Sequence, residues 1–328
     1  MTARGTTRAM SPRRSKRDFL SVVDFADDLR AILDRALEMK AARLGGRLSA
    51  TLPGRNVAMI FEKPSTRTRT SFEVAVSDLG GHALYLSSKD LQLGRGETIA
   101  DTARVLSRYV DALVYRAFHH EDVLALARWA SVPVVNALDD REHPCQIVAD
   151  LLTLKERWPN GFNGRRLAWV GDGNNVLNSL LLGAAVMGLD LIAATPKNHR
   201  PPVDIVREAQ RRARVSGSTL SLVDRPEKAA KDADAVYTDV WVSMGEEDEK
   251  AEREKAFAGF QVNRALLRLA HPGAWVMHDL PAHRGQEITG EVIDGPQSIV
   301  WDQAENRLHA QKAILEALIR PGAPTVVG

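Results

Sequence analysis

The stretch "VAMIFEKPSTRTRTSFEVAVSDLGG", Val57 to Gly81, holds a complete strand-to-helix step. The apolar run Val57–Phe61 is too short for a helix and reads as a buried strand. After a polar turn, Phe72, Ala75, Val76 and Leu79 fall on one helical face, and Gly80-Gly81 stops the helix. A strand without polar alternation is covered on both faces, which is the habit of parallel sheets flanked by helices.

Working outward, the same alternation repeats. "ALYLSS", "DALVYRA" and "VPVVNAL" read as further strands. "TIADTARVLSRYV" reads as a helix with Thr98 and Asp101 in capping-box-like spacing, and another helix lies near 121–130. "PCQIVADLLTLKERW" starts a helix with Pro144 at its first position. A second set follows, with strands in "RLAWVGDG", "DLIAATP", "TLSLVD", "DAVYTDVW" and "AWVMHDL". Helices are expected at roughly 175–188, 204–215, 226–232 and 252–269, and in the final "AENRLHAQKAILEALI" before Arg320-Pro321-Gly322. The expected fold class is therefore α/β, with two doubly wound parallel-sheet domains dividing near residues 145–165. Periodicity leaves open which domain carries the last helix.

Composition narrows the function classes. The chain has 328 residues, long enough for two domains. No apolar run reaches the roughly 20 residues of a membrane span, and no signal-peptide core is present, so a cytoplasmic home fits. Cys145 is the only cysteine, which excludes an internal disulfide and a multi-cysteine zinc site. Residues 1–17 carry six bases and no acid; outside them 38 bases face 42 acids. The basic pI therefore belongs to a leader, read as a disordered tail rather than a transit segment, and does not imply nucleic-acid binding.

Ligands of open parallel sheets bind beyond the carboxyl ends of strands, and the polar clusters of this chain lie there. Ser65-Thr66-Arg67-Thr68-Arg69 combines hydroxyls and guanidinium groups at a helix start, which suits a phosphate; a capped helix with solvated arginines is the plain alternative. The glycine-rich pattern of a nucleotide P-loop is missing. His143 can polarise a carbonyl oxygen and Gln146 can bond an amide. A nucleophilic Cys145 paired with His143 competes with a small buried thiol. Gly171-Asp172-Gly173-Asn174-Asn175 hints at a dinucleotide loop, but Val176 stands at the third glycine and no acid ends the next strand. The acidic run "EEDEKAERE" reads as solvated, mobile surface. His119-His120 and the His278/His283 pair read as polar cleft residues rather than metal ligands. In "VMHDLPAHRGQEI", Asp279 should sit at a strand mouth, where a carboxylate is costly without a cation.

In series, "STRTR", "HPCQ", "GDGNN", "DVWVSMG", "HDLPAHRG" and "WDQAENRLHAQKA" resemble the aspartate/ornithine carbamoyltransferase family, and its ornithine branch, from about Arg17 to Ile319. The resemblance implies a carbamoyl-phosphate domain over 18–148 with 303–328, to which the last helix returns. It implies an ornithine domain over 149–302, an interdomain active-site cleft and a homotrimer. No metal or organic cofactor is implied. The reaction joins carbamoyl phosphate and L-ornithine to give L-citrulline and phosphate, in arginine metabolism. By position, Ser65, Thr66, Arg67 and Thr68 would hold the phosphate, with Arg116 bridging to the carbonyl oxygen. Gln92 would come from a neighbouring subunit. His143 and Gln146 would hold the carbamoyl group, and Arg307 would reach carbamoyl phosphate from the last helix. Asn175, Asp239, Ser243 and Met244 would bind ornithine and close over it, with Asp279-Leu280 at the reacting amine and the carbamoyl group of carbamoyl phosphate.

One departure lies inside the motifs. The family's opening pattern is His-Cys-Leu-Pro, and Asp279 takes the cysteine position. The favoured expectation is that Asp279 faces ornithine's side-chain ammonium and accepts its proton. A shift toward putrescine or another diamine, or a weakly active paralogue, are the alternatives.

Overall fold

A computed structural model of the protein describes residues 16–48, 50–243 and 247–319. Most of the basic leader, Met244 and Gly245 of the "SMG" loop, and the Arg320-Pro321-Gly322 stop lie outside the described residues.

The first half runs α1 (Leu29–Leu44), β1 (Asn56–Phe61), α2 (Thr66–Asp78), β2 (His82–Ser87), α3 (Ile99–Leu106), β3 (Ala112–Arg116), α4 (His120–Trp129), β4 (Val134–Leu138) and α5 (Pro144–Arg157). The second runs β5 (Arg166–Val170), α6 (Asn175–Met187), β6 (Asp190–Ala194), α7 (Val203–Ser216), β7 (Leu220–Val223), α8 (Pro226–Ala230) and β8 (Ala235–Thr238). It continues with α9 (Lys250–Ala256), α10 (Arg264–Leu267), β9 (Trp275–His278), α11 (Gly290–Ile293) and α12 (Val300–Ile319). The strands form two sheets in the orders β2-β1-β3-β4 and β7-β6-β5-β8-β9, and every strand pair is parallel. The order reverses between β1 and β3 in one sheet and between β5 and β8 in the other, which are the places where such sheets open a crevice.

The two sheets share one apolar core, from Val57, Met59 and Phe72 through α5 and α6 to Trp169 and Tyr237. The rings of the last two lie 5.0 Å apart. α12 packs on α1, α2 and α5, so the last helix returns to the first sheet. Among the described residues no helix is long and apolar enough to cross a membrane.

Three sequence readings are corrected. The expected helix over 252–269 is two helices, α9 and α10, because Gly259 takes φ +96 and Val262 then pairs its N–H with Glu287 O at 2.7 Å. The acidic run is not simply solvated surface. α9 takes up its second half, and Arg253 inside it is buried, pairs with Asp172 and donates to Trp241 O. Lys16 and Arg17 belong to the folded body, since Lys16 bonds Asp18 and Arg17 bonds Asp28 and lies over the Phe25 ring. α1 escaped the reading because charged residues interrupt its buried positions Ile32, Leu33, Ala36 and Met39.

The turn from β4 into α5 is held by buried acids. Asp139 accepts from Glu142 N–H at 2.6 Å and lies 2.7 Å from His120 Nδ1. Glu142 Oε2 accepts from Ser21 and Ser179, each at 2.9 Å. Burial nonetheless pushes the Glu142 carboxyl up to about 7. A carboxyl raised on folding favours the native state below its ordinary pKa, and that advantage is lost as pH rises toward 7. Glu142→Gln is therefore expected to stabilise the protein by about 1–3 kcal/mol at pH 8 and far less at pH 5. Denaturant melts at the two pH values check this, and an equal effect at both would reject it.

Candidate active site

The cation-rich end is built at the β1/β3 switch point. Ser65 caps α2 by accepting from Thr68 N–H at 3.2 Å, so the helix starts at Thr66 and carries Arg67 and Thr68 in its first turn. The two arginines of the motif part company. Arg69 pairs with Glu73 at 3.0 Å and lies over the Tyr85 ring, the solvated alternative foreseen for both. Arg67 lines a cavity of about 410 Å³, together with Ser65, Thr66, Thr68, Arg116 and Arg307. Arg116, the last residue of β3, is 7% exposed. Burial, then Arg307 and Arg67, lowers its pKa to about 10. Nε of Arg116 and Nε of Arg307 are buried with no hydrogen-bond partner among the described residues. Three guanidinium groups that repel one another at a helix start form a receptor for a multiply charged anion. Lys63, which the sequence reading quoted without a role, also lines the cavity; burial lowers its pKa, and it sits 4.8 Å from the Phe118 ring. Its place between a strand end and the "STRTR" motif was the available signal.

His143 precedes Pro144 at the start of α5 and lines the same cavity. Burial, Arg307, Arg116 and Arg67 hold its pKa well below that of a free imidazole, so the ring is neutral. A neutral imidazole can still donate one N–H to a carbonyl oxygen. Cys145 is not a nucleophile here. It is fully buried, burial pushes its thiol up to about 12, and its S–H donates to Asn136 O. Gln146 is fully buried and is not among the cavity-lining side chains; its Oε1 accepts from Arg307 at 2.5 Å. Arg307 also donates to Thr68 Oγ1 at 2.7 Å, which ties the last helix to the first turn of α2.

The acid end is built at the β5/β8 switch point and the end of β9. Asn175, Asp239, Ser243, Asp279 and Leu280 line it. Asp239 accepts from Asn174 Nδ2 and from its neighbour Val240 N–H, both at 2.7 Å. Asn175 donates to Asp139 O at 2.6 Å. The Asp279 side chain is 10% exposed, and its Oδ1 has no hydrogen-bond partner among the described residues. Burial first, then Asp239, raises its pKa well above the carboxylate range, and a hydrogen bond to Asp239 adds to the shift. A carboxyl buried beside another carboxyl holds its proton more tightly. The carboxylate expected to meet a cation thus stands beside a second carboxyl, with Arg307 opposing the rise in its pKa.

The polar residues around Asp279 explain its placement. Leu280 has φ +62, an unusual conformation for a residue with a side chain. Its N–H donates to His278 Nδ1 at 2.9 Å, and His278 Nε2 lies 3.1 Å from the buried Glu287. Nδ1 accepts, so the ring proton sits on Nε2 and points at Glu287. Asp239, His278 and Asp279 carry possible ligand atoms within 4.8 Å of one another. Both His278 nitrogens are already engaged, so this group is a poor cation cage. His119 and His120 instead face Asp140 and Asp139. Gly173 serves packing rather than a dinucleotide: a Cβ there would lie 2.5 Å from His199 O. Gln92 is exposed in a short 3-10 turn and does not line the cavity of its own chain.

The model of the carbamoyl-phosphate-binding domain of aspartate/ornithine carbamoyltransferases matches residues 17–156, and that of the Asp/Orn-binding domain matches 163–318. The chain belongs to the aspartate/ornithine carbamoyltransferase family. It is 54% identical to the ornithine carbamoyltransferase of Methanoculleus marisnigri, over 95% of this chain and 99% of that protein. The solved structure of ornithine carbamoyltransferase from Pyrococcus furiosus superposes with a TM-score of 0.90 at 52% identity, covering 94% of this chain and 99% of that one. The Thermus thermophilus ornithine carbamoyltransferase gives a TM-score of 0.84 at 46% identity, covering 93% of this chain and 99% of the other.

Proposed function

We propose that this chain transfers the carbamoyl group of carbamoyl phosphate to the side-chain amine of L-ornithine, giving L-citrulline and phosphate. The observation that carries this is one cavity lined by three guanidinium groups and by two carboxyls, with His143 in the same wall. The first suits a phosphate and the second an amine. Asn175 and Ser243 add polar groups beside Asp239 that suit an α-amino acid better than a diamine.

In this reading Ser65, Thr66, Arg67 and Thr68 hold the phosphate, and Arg307 reaches it from α12. Arg116 spans phosphate and carbonyl oxygen. Neutral His143 and Thr68 donate to the carbonyl oxygen as it becomes an oxyanion. Gln146 acts on the carbamoyl group from behind, through Arg307. Asn175, Asp239, Ser243 and Met244 hold the amino-acid end of ornithine, and Leu280 shapes the wall beside the reacting amine. That amine loses its proton to the Asp279/Asp239 pair, and its nitrogen attacks the carbonyl carbon. The C–O bond to phosphate breaks as the attacking nitrogen passes its second proton to the departing phosphate oxygen, so phosphate leaves as the HPO4 dianion against the arginines. Binding both substrates in one cleft supplies orientation.

The carbamoyl-phosphate unit is 18–148 with 303–328, and the ornithine unit is 149–302. The protein works as a homotrimer or a multiple of trimers, in the cytoplasm. Its Gln92, exposed and away from its own cavity, completes the site of a neighbouring subunit.

The test is an amine panel assayed with carbamoyl phosphate. L-Ornithine is expected to exceed putrescine and N-acetylornithine by at least about a hundredfold in kcat/KM, because a substrate without a free α-amino-acid end forgoes the polar contacts offered by Asn175, Asp239 and Ser243. A preference for putrescine would replace the proposed substrate, and no product with any amine would reject the activity.

A further inference from the structure

Asp150 lies in the middle of α5, where every residue from Pro144 to Leu154 is buried. It lines neither the anion end nor the acid end of the cavity. A fully buried carboxyl in an apolar helix is unfavourable without donors, and Asp150 has three. Its Oδ1 accepts from Gln146 Nε2 at 2.9 Å and from Gln303 Nε2 at 2.7 Å. Its Oδ2 accepts from Tyr237 Oη at 2.9 Å. Burial pushes its pKa up to about 6 against these donors, which leaves it ionised at neutral pH.

What the two glutamines do with their other ends is decisive. Gln146 Oε1 accepts from Arg307, which in turn holds Thr68 Oγ1. Gln303 Oε1 accepts from His278 N–H at 3.0 Å, one residue before Asp279. An amide side chain can turn over and present nitrogen where oxygen was. An ionised carboxylate only accepts, so it admits only the NH2 face of each glutamine. Both Oε1 atoms must then point outward, one at Arg307 and one at the end of β9. Tyr237, on β8, joins the same oxygen pair two residues before Asp239.

We propose that Asp150 is a positioning residue that fixes the amide orientation of Gln146 and Gln303, and so sets Arg307 toward the anion end and the end of β9 toward the acid end. The proposal rests on the carbamoyl-transfer reading for what the two ends bind, but not for its test at the anion end.

That test is calorimetric binding of inorganic phosphate, together with steady-state kinetics. Asp150→Leu removes the acceptor and should weaken phosphate binding about tenfold and lower kcat by at least as much. Asp150→Asn keeps one oxygen for the two glutamines, and its NH2 can meet the Tyr237 hydroxyl. It should stay within about threefold of the parent on both readouts. Gln146→Met and Gln303→Met separate the arms and bypass any folding defect of the leucine variant. Gln146→Met should weaken phosphate binding and leave the ornithine KM within about threefold. Gln303→Met should lower kcat with phosphate affinity unchanged. Asp150→Leu added to Gln146→Met should weaken phosphate no further, because the two act in one chain. Additive losses, or equal effects of the two glutamine variants on both ends, would overturn the proposal. Failure of the parent to make citrulline would sink the amine assignment while leaving the phosphate comparisons intact.

Discussion

Asp279→Asn should lower kcat by two to four orders of magnitude while changing carbamoyl phosphate affinity less than about threefold. The asymmetry follows from position. Asp279 lines the acid end with Asp239, whereas the phosphate groups belong to α2, β3 and α12. The pH profile carries the sign. Burial and Asp239 raise the Asp279 pKa well above the carboxylate range, so Asp279 must lose its proton before it can accept one from the amine. The parent's kcat/KM for ornithine should therefore fall on the acid side with an apparent pKa above that of an ordinary carboxyl. In Asp279→Asn that limb should disappear with the activity. Asp279→Cys places the family's thiol beside Asp239 and should recover part of the rate. Unchanged turnover in Asp279→Asn would remove both the base and the charge-partner role. A large loss in phosphate affinity would place Asp279 at the other end of the reaction.

Much of this site was legible because its chemistry is local. "STRTR" occupies one helical turn after β1, so hydroxyls, guanidinium and N-cap fall together by covalent geometry alone. The strands of both sheets were readable for the same reason: uniformly apolar strands alternate with helices at short range. Contacts between distant residues were not legible. Asp279 was read as a carboxylate in search of a cation, but Asp239, forty positions earlier, is its neighbour across the β8/β9 pair. Gln146 and Arg307 were each read as substrate ligands, and the fold bonds them to each other. Asp150 carried a signal that went unused: one acid inside the apolar run "IVADLLTL", four residues after Gln146, which is one helical turn. The break between α9 and α10 was hidden because both have helical composition, while the positive φ of Gly259 and the distant pairing of Val262 with Glu287 separate them.

Arg116→Lys tests whether the anion end needs a charge or a shape. The guanidinium is planar and can span two oxygens, while an ammonium is a compact point charge. With Arg116 assigned to both the phosphate and the carbonyl oxygen, Lys at this position should lower kcat/KM by about two to three orders of magnitude although the charge is kept. The same residue should show the opposite effect on stability. Its pKa falls to about 10 because burial and two neighbouring guanidinium groups disfavour the cation. For a base, a lowered pKa means the charged form is penalised at every pH well below that value, so the penalty is complete at pH 7. Arg116→Met removes the charge and keeps much of the volume. It should stabilise the ligand-free protein by about 1–3 kcal/mol while abolishing turnover. Added phosphate should reverse the order, since ligand binding stabilises only a protein that still binds it. Thermal melts of parent and Arg116→Met, each with and without phosphate, decide the matter. If the methionine variant is less stable without ligand, the three arginines are held by contacts strong enough to offset their repulsion. The view of this end as a strained receptor, stabilised by its anion, would then fail. If it is more stable, the cost sits where the chemistry needs it: cations held together by the fold so that a leaving phosphate meets them without rearrangement.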